Sequence, residues 1–200
     1  MRLNLILFFL SFLFFAPSVH AHTFTGMVGF YDGLSHPVLG IDHFLAMVSV
    51  GVVSAQIGGR AILTIPATLV LMMIVGGTIG MLIEVFFFDF EESAFIVVEY
   101  GIVFSVILLG LAIAIEKKIA TNIIMIFICI FGMCHGLAHG MEMPWAVNPI
   151  LFALGFASGT ATLHLFGVGI GSLAIKTKFS SIVLRIVGVG CALFGISLLV

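Results

Sequence analysis

A short segment near the start of this 200-residue chain carries side chains that suit metal binding. It runs His36-Pro-Val-Leu-Gly-Ile-Asp42-His43. Residues seven apart lie nearly two turns apart on one face of an α-helix, so the spacing predicts that both imidazoles face the same way. Asp42 is one position off that face. There it either binds the metal itself or accepts a hydrogen bond that fixes a histidine tautomer.

A second segment repeats this chemistry about ninety residues later. It runs Cys134-His135-Gly-Leu-Ala-His139-Gly-Met-Glu142, and its ionisable residues are four and three positions apart. Such offsets place both imidazoles and the carboxylate in one stripe of a helix. Imidazole with carboxylate suits divalent Zn, Cu, Fe, Ni or Co, whereas Ca²⁺ or Mg²⁺ would need more oxygen ligands.

Three further ionisable residues, Glu84, Glu99 and His164, lie within apolar stretches. Ionisable groups inside a membrane are costly, so they are functional candidates by default. The sequence predicts that these three form an ion pathway. A packing role for His164 and a carboxylate that reaches water for Glu84 remain open alternatives.

The elements that position these residues follow from composition. Apolar residues make up 62% of the chain and charged residues 8%, with a mean hydropathy of +1.37. A soluble domain averages about 25% charged residues, so a soluble enzyme, a nucleic-acid-binding protein and a disordered chain are excluded. The net charge of −2 offers no basic surface for nucleic acid. The sequence predicts an all-α polytopic membrane protein.

The first 21 residues have the features of a cleaved signal peptide. A basic Arg2 precedes an apolar run, and the segment ends at Val19-His20-Ala21. An uncleaved first helix is the alternative. Cleavage leaves residues 22–200 as one transmembrane domain. It makes His22 the new N-terminus, where an amine and an imidazole are both available to a metal.

The mature chain has room for six membrane-spanning helices. Pro37 is expected in the first turn of the first span. The small residues Gly132, Gly136 and Gly140 recur every fourth position, which predicts close approach of a neighbouring helix. The predicted spans are 38–58, 61–88, 93–115, 119–140, 148–173 and 181–200.

Basic residues set the predicted orientation. If the mature N-terminus lies outside, all basic residues after the signal peptide fall in or beside inner loops, as the positive-inside rule requires. The same topology places Asp32, Asp89, Glu91 and Glu92 outside. The basic residues concerned are Arg60, Lys117, Lys118, Lys176, Lys178 and Arg185.

Both metal-binding segments resemble the HupE/UreJ family of nickel and cobalt permeases. The family pattern His-x5-Asp-His is present at residues 36–43. The pattern Phe-His-Gly-x-Ala-His-Gly-x-Glu is present at residues 134–142, with Cys134 in place of the aromatic residue. The resemblance extends over essentially the whole mature chain. It implies a bacterial inner-membrane protein that admits Ni²⁺ or Co²⁺ as its substrate and needs no organic cofactor.

The expected function is therefore a secondary transporter or facilitator, not an enzyme, because no nucleotide-binding or phosphorylation motif is visible. Its expected partners are the metal ion and membrane lipid, and the sequence permits an oligomer. Two alternatives remain open: a membrane-embedded metal-dependent enzyme and a haem-binding b-type cytochrome. The expected metal ligands are His22, His36, Asp42, His43, His135, His139 and Glu142.

Overall fold

The computed structural model describes residues 29–86, 92–115, 119–143 and 147–199. These residues form helices and their connections, and no strand occurs among them. The predicted signal peptide and His22 lie outside the described residues. The helices are α1 (Phe30–Leu39), α2 (Ile41–Ile57), α3 (Ala61–Phe86), α4 (Glu92–Ile115), α5 (Thr121–Met141), α6 (Pro149–Ala174) and α7 (Lys178–Ser197).

Five of the described helices, α3 to α7, are each long and apolar enough to cross a membrane. Together, α1 and α2 form a pair bent by 85°, which makes up to six spans if the pair counts as one. Leu63, Phe86 and Ile150 are among many apolar side chains exposed around the outside. Exposed apolar surface of this extent suits lipid rather than water. The protein is an all-helical, multi-pass membrane protein, as predicted, with five continuous candidate spans and a sixth if the bent pair counts as one.

The helix predicted over 38–58 is present from Ile41 to Ile57, and it begins later than predicted because the chain breaks at Gly40. Gly40 is extended, with φ −87° and ψ 120°, and α2 begins after it. Pro37 lies near the end of α1 instead of in the first turn of a span. There it is buried against α6, at the position of Gly159. Hydropathy does not show this break, since the two residues next to Gly40, Leu39 and Ile41, are both apolar.

Glycines bring the long helices into direct backbone contact. A Cβ on Gly136 or Gly140 would collide with the backbone of α3 at Met73 or Gly77, and Gly132 meets α3 at Leu69. The predicted close approach of a helix to this glycine row is confirmed. Because α3 occupies that side of α5, the histidines on another side of α5 face the interior of the bundle.

The two ends of the bundle differ in charge. Both metal-binding segments lie at one end, where α1 meets α2 and where α5 ends. Arg60 and Lys176 lie at the other end, in the connections that follow α2 and α6. Near that end the Nε of Arg185 donates to the carbonyl oxygen of Ala114 at 2.8 Å. The fold therefore separates the basic side chains it describes from the imidazoles.

Candidate metal centre

The end of α5 and the end of α1 together form a compact group of possible ligands, here named the rim cluster: His36, His139 and Glu142. Ligand atoms of these three side chains lie within 4.8 Å of one another. The Nε2 of His36 lies 2.9 Å from the Nδ1 of His139. Two imidazole nitrogens bound at a right angle, each about 2.1 Å from a metal, would lie about 3.0 Å apart. The two nitrogens are joined by a hydrogen bond, and their separation is also compatible with binding to one ion.

His43 is oriented by its neighbour in the first turn of α2. The Nδ1 of His43 lies 3.0 Å from the Oδ1 of Asp42. A carboxylate can only accept, so Nδ1 carries the proton and the lone pair of Nε2 remains available for a metal. Of the two roles that the sequence left open for Asp42, this geometry fits the orienting one. A Cβ at Gly40 would approach the His43 Nδ1 to 2.9 Å, so the absence of a side chain at Gly40 leaves room for the pair.

His135 is oriented in the same way by the backbone of its own helix. Its Nδ1 donates to the carbonyl oxygen of Phe131 at 2.9 Å, which again leaves Nε2 with a free lone pair. The Nε2 atoms of His43 and His135 are both buried, and neither has a hydrogen-bond partner among the described residues. The His43 ring lies 5.3 Å from that of His135 and 4.5 Å from that of His139, measured between centroids. The imidazoles thus form a continuous group.

Two phenylalanines of α6 form an aromatic wall against the rim cluster. The Phe156 ring lies 4.7 Å from the His139 ring and 6.0 Å from the His36 ring, and Phe152 lies 5.8 Å from His36. A mainly apolar cavity of about 320 Å³ borders His139 between α3, α5 and α6. Apolar walls lower the local dielectric constant, which strengthens the attraction between an ion and its ligands.

The structure places the three predicted pathway residues differently. Glu99, half-buried on α4, lies close enough to His43 to interact with it electrostatically, as does Glu142. His164, on α6, is 1% exposed and lies within electrostatic range of His135. Glu84 is in the last turn of α3, and no hydrogen bond or ion pair joins it to another described residue. The geometry therefore brings Glu99 and His164, but not Glu84, towards the imidazoles.

Two residues of α6 that contact the rim cluster, Phe152 and Phe156, were not predicted from the sequence, nor was Thr160, which follows them on the same helix. Together with His164 they recur every fourth residue, so they form one stripe of the helix. Thr160 is completely buried. The spacing from His164 back to Phe152 was a signal that could have identified the stripe.

The chain is similar to known proteins over most of its length. A family described as HupE / UreJ protein matches residues 10–198. Protein HupE of Rhizobium leguminosarum bv. viciae is 37% identical over 185 residues, which cover 92% of this chain and 92% of that protein. No solved structure matches the chain significantly.

Proposed function

This chain belongs to the HupE/UreJ family, and we propose that it imports a divalent transition-metal cation, Ni²⁺ or Co²⁺, across the bacterial inner membrane. One observation carries the proposal. The nitrogens of His36 and His139 lie 2.9 Å apart beside Glu142, at one end of a membrane-spanning bundle. Imidazole and carboxylate together suit a borderline ion such as Ni²⁺ or Co²⁺.

The proposed ligands have distinct roles. His36, His139 and Glu142 capture the ion, and the carboxylate offsets part of its charge. His43 and His135 receive the ion next, with Asp42 holding the His43 tautomer. Glu99 supplies negative charge beside His43, and Glu84 attracts cations at the same end of the bundle. His22 is an additional ligand at the mature N-terminus.

The proposed orientation places the rim cluster on the periplasmic side. Basic residues then lie on the cytoplasmic side, in agreement with the positive-inside rule, and the signal peptide leaves the mature N-terminus in the periplasm. The membrane potential draws the cation inward, with about 2.3 kcal/mol per charge per 100 mV. This potential is sufficient for a facilitator or secondary transporter, which needs no nucleotide.

Uptake of radiolabelled Ni²⁺ and Co²⁺ by cells tests the proposal. We expect His43→Ala and His139→Ala to lower uptake by roughly tenfold to a hundredfold at unchanged membrane levels, because each removes a ligand. Ser158→Ala is the matched control, since Ser158 is exposed and its hydroxyl donates to the carbonyl oxygen of Leu154. Uptake equal to that of the parent in both histidine variants would contradict the proposal.

The purified protein separates this function from the alternatives. In liposomes, a transporter moves the metal into the lumen, whereas an enzyme or a cytochrome does not. A visible absorption spectrum with a Soret band would instead indicate a b-type cytochrome. Competition between Ni²⁺, Co²⁺ and Zn²⁺ in the same liposomes identifies the preferred ion.

A further inference from the structure

Glycines join five of the helices into two tightly packed units. In the first unit, α6 packs on α1 at Gly155 and on α2 at Gly167, where a Cβ would collide with the carbonyl oxygen of Phe30 or of Val48. In the second unit, α5 packs on α3 through the row that contains Gly136. The nearest atoms that a Cβ on each of these glycines would meet belong to its own unit. Such backbone contacts hold the helices of each unit together.

The rim cluster lies on the boundary between the two units. His36 belongs to α1 in the first unit, whereas His139 and Glu142 lie at the end of α5 in the second. The contacts described across this boundary at the rim join side chains. The Nε2 of His36 lies 2.9 Å from the Nδ1 of His139, and the Phe156 ring lies 4.7 Å from the His139 ring. Side chains can change rotamer, so this boundary can open while the backbone contacts within each unit stay intact.

Packing is incomplete along the same boundary. The cavity of about 320 Å³ beside His139 is lined by Ile74 and Thr78 of α3 and by Leu154 and Ala157 of α6, among others. Protein interiors contain few spaces larger than a water molecule. The cavity therefore leaves the two units room to move against each other next to the rim cluster.

The connection between α2 and α3 joins the two units at the opposite end of the bundle. The 17 residues of α2 separate it from the rim by about 26 Å. Gly58 and Gly59 in this connection have φ of 78° and 58°, which glycine adopts readily. A Cβ on Gly59 would meet no atom within 4 Å, and one on Gly58 would meet only the carbonyl oxygen of Ala55, at 4.0 Å. A connection with so few neighbours can absorb the changes in backbone dihedral angles that a hinge requires.

We propose that the two units open and close at the rim about a hinge at Gly58 and Gly59, and that an ion bound by the rim cluster holds them closed. An ion with ligands from both units binds the closed arrangement more tightly than an open one, so it shifts the population towards closure. Opening admits the ion, and closing surrounds it with ligands. This inference rests on the proposed function and adds a movement to its capture step.

Distances between spin labels on α3 and α6 of the purified full chain test this movement. One labelled pair, Val85→Cys with Ile150→Cys, lies at the rim end, and another, Leu63→Cys with Leu173→Cys, lies at the hinge end. All four side chains are exposed. The background has alanine in place of the three native cysteines and must retain parental uptake. Zn²⁺ is the probe, because imidazole and carboxylate bind it and its filled d shell leaves the labels undisturbed. We expect Zn²⁺ to shorten the rim-end distance and to leave the hinge-end distance unchanged.

A ligand variant separates closure from simple binding. His36→Ala with His43→Ala removes the imidazoles of the first unit but leaves His139 and Glu142 on the second. Zn²⁺ should then no longer shorten the rim-end distance. The inference is overturned by a rim-end distance that is the same with and without Zn²⁺ in the labelled parent, or by a shortening that persists in the double variant. Equal changes at both ends would contradict the hinge.

Cross-linking tests whether transport needs the movement. In the same background, a short bifunctional thiol reagent should join Thr78→Cys to Leu154→Cys across the cavity and stop most Ni²⁺ uptake, because the units can no longer separate. Longer reagents should restore uptake. Leu154→Cys with Ser158→Cys is the matched control, since both residues are exposed on α6 and their cross-link stays within one unit.

Parental uptake by the protein with the short cross-link between the units would contradict the inference. Closure by Zn²⁺ in a parent protein that takes up no metal would instead contradict the proposed function, while the movement of the two units would stand.

Discussion

Two sides of α5 have different roles. One side carries Gly132, Gly136 and Gly140, and it packs directly on the backbone of α3. Another side carries His135 and His139, whose rings face side chains from α1 and α2. The glycine side positions the helix, and the histidine side supplies the proposed ligands.

This difference shows how a helical bundle in a membrane can keep polar side chains, whose exposure to lipid costs free energy, inside the protein. Without a hydrophobic driving force between helices, close backbone packing supplies the association. Once α3 is fixed on the glycine side, the histidines cannot turn towards lipid. Folding and metal binding should therefore respond separately to mutation.

The largest effect is expected on the glycine side. In Gly136→Val, the new Cβ would collide with the carbonyl oxygen of Met73 and the backbone nitrogen of Gly77, neither of which can move alone. The helices must separate, at a cost of about 3 kcal/mol in folding free energy. Thermal unfolding and membrane levels of the protein measure this loss.

Gly190→Val is the control, because a Cβ at Gly190 meets no atom within 4 Å. It should keep parental membrane levels and a similar unfolding temperature. If Gly136→Val matched this control, then the α3–α5 contact would not be what positions the histidines.

The affinity of the histidine side for a metal ion should instead depend on pH. Only neutral imidazole binds a metal, and the ordinary histidine pKa is about 6.5, so protons compete with the ion as pH falls. Between pH 7.5 and 5.5 the affinity for Co²⁺ should therefore fall, because protons occupy the nitrogens that would bind the ion. Co²⁺ titration of purified protein measures this. An affinity independent of pH would mean that carboxylates alone hold the ion.

The difference between the glycine side and the histidine side of α5 also explains which features could be predicted from the sequence. The close contact of the glycine row could be predicted because it depends on small residues at fixed spacing along one helix. Five spans could be predicted because the hydropathy of a segment depends only on its own residues. The break at Gly40 could not be predicted in this way, because the residues on either side of it, Leu39 and Ile41, are both apolar.

The histidine side depends on how helices rotate against one another. The two motifs predicted two sets of ligands, but not that His36 would meet His139 while His43 lies between His139 and His135. Thr160 carries no charge and stands among other small residues of α6. Only the lack of a hydrogen-bond partner for its buried hydroxyl, among the described residues, distinguishes it, and a sequence does not show hydrogen bonds.

A smaller effect is expected when the orientation of a ligand changes but the ligand remains. Asp42→Asn keeps an acceptor oxygen 3.0 Å from the Nδ1 of His43 but removes its charge. The His43 tautomer is then held less firmly, so Ni²⁺ uptake should fall by roughly tenfold. Complete loss, equal to that of His43→Ala, would mean that Asp42 binds the ion directly. Thr162→Val is the control, since Thr162 is exposed and its hydroxyl donates to the carbonyl oxygen of Ser158 in its own helix.

The smallest effect is expected at Gly40, which lies beside the hydrogen-bonded pair of His43 and Asp42. Gly40 has φ −87°, which alanine adopts without strain. A Cβ there would approach the His43 Nδ1 to 2.9 Å and the Asp42 Oδ1 to 3.1 Å, so the pair must shift. Gly40→Ala should therefore lower uptake about threefold to tenfold at unchanged membrane levels, which is the opposite of the Gly136→Val result.

Gly169→Ala is the control, because its Cβ meets no atom within 4 Å. If Gly40→Ala lowered protein levels and not uptake per molecule, then Gly40 would be needed for folding. The separate responses of folding and metal binding expected for α5 would then not hold for α2.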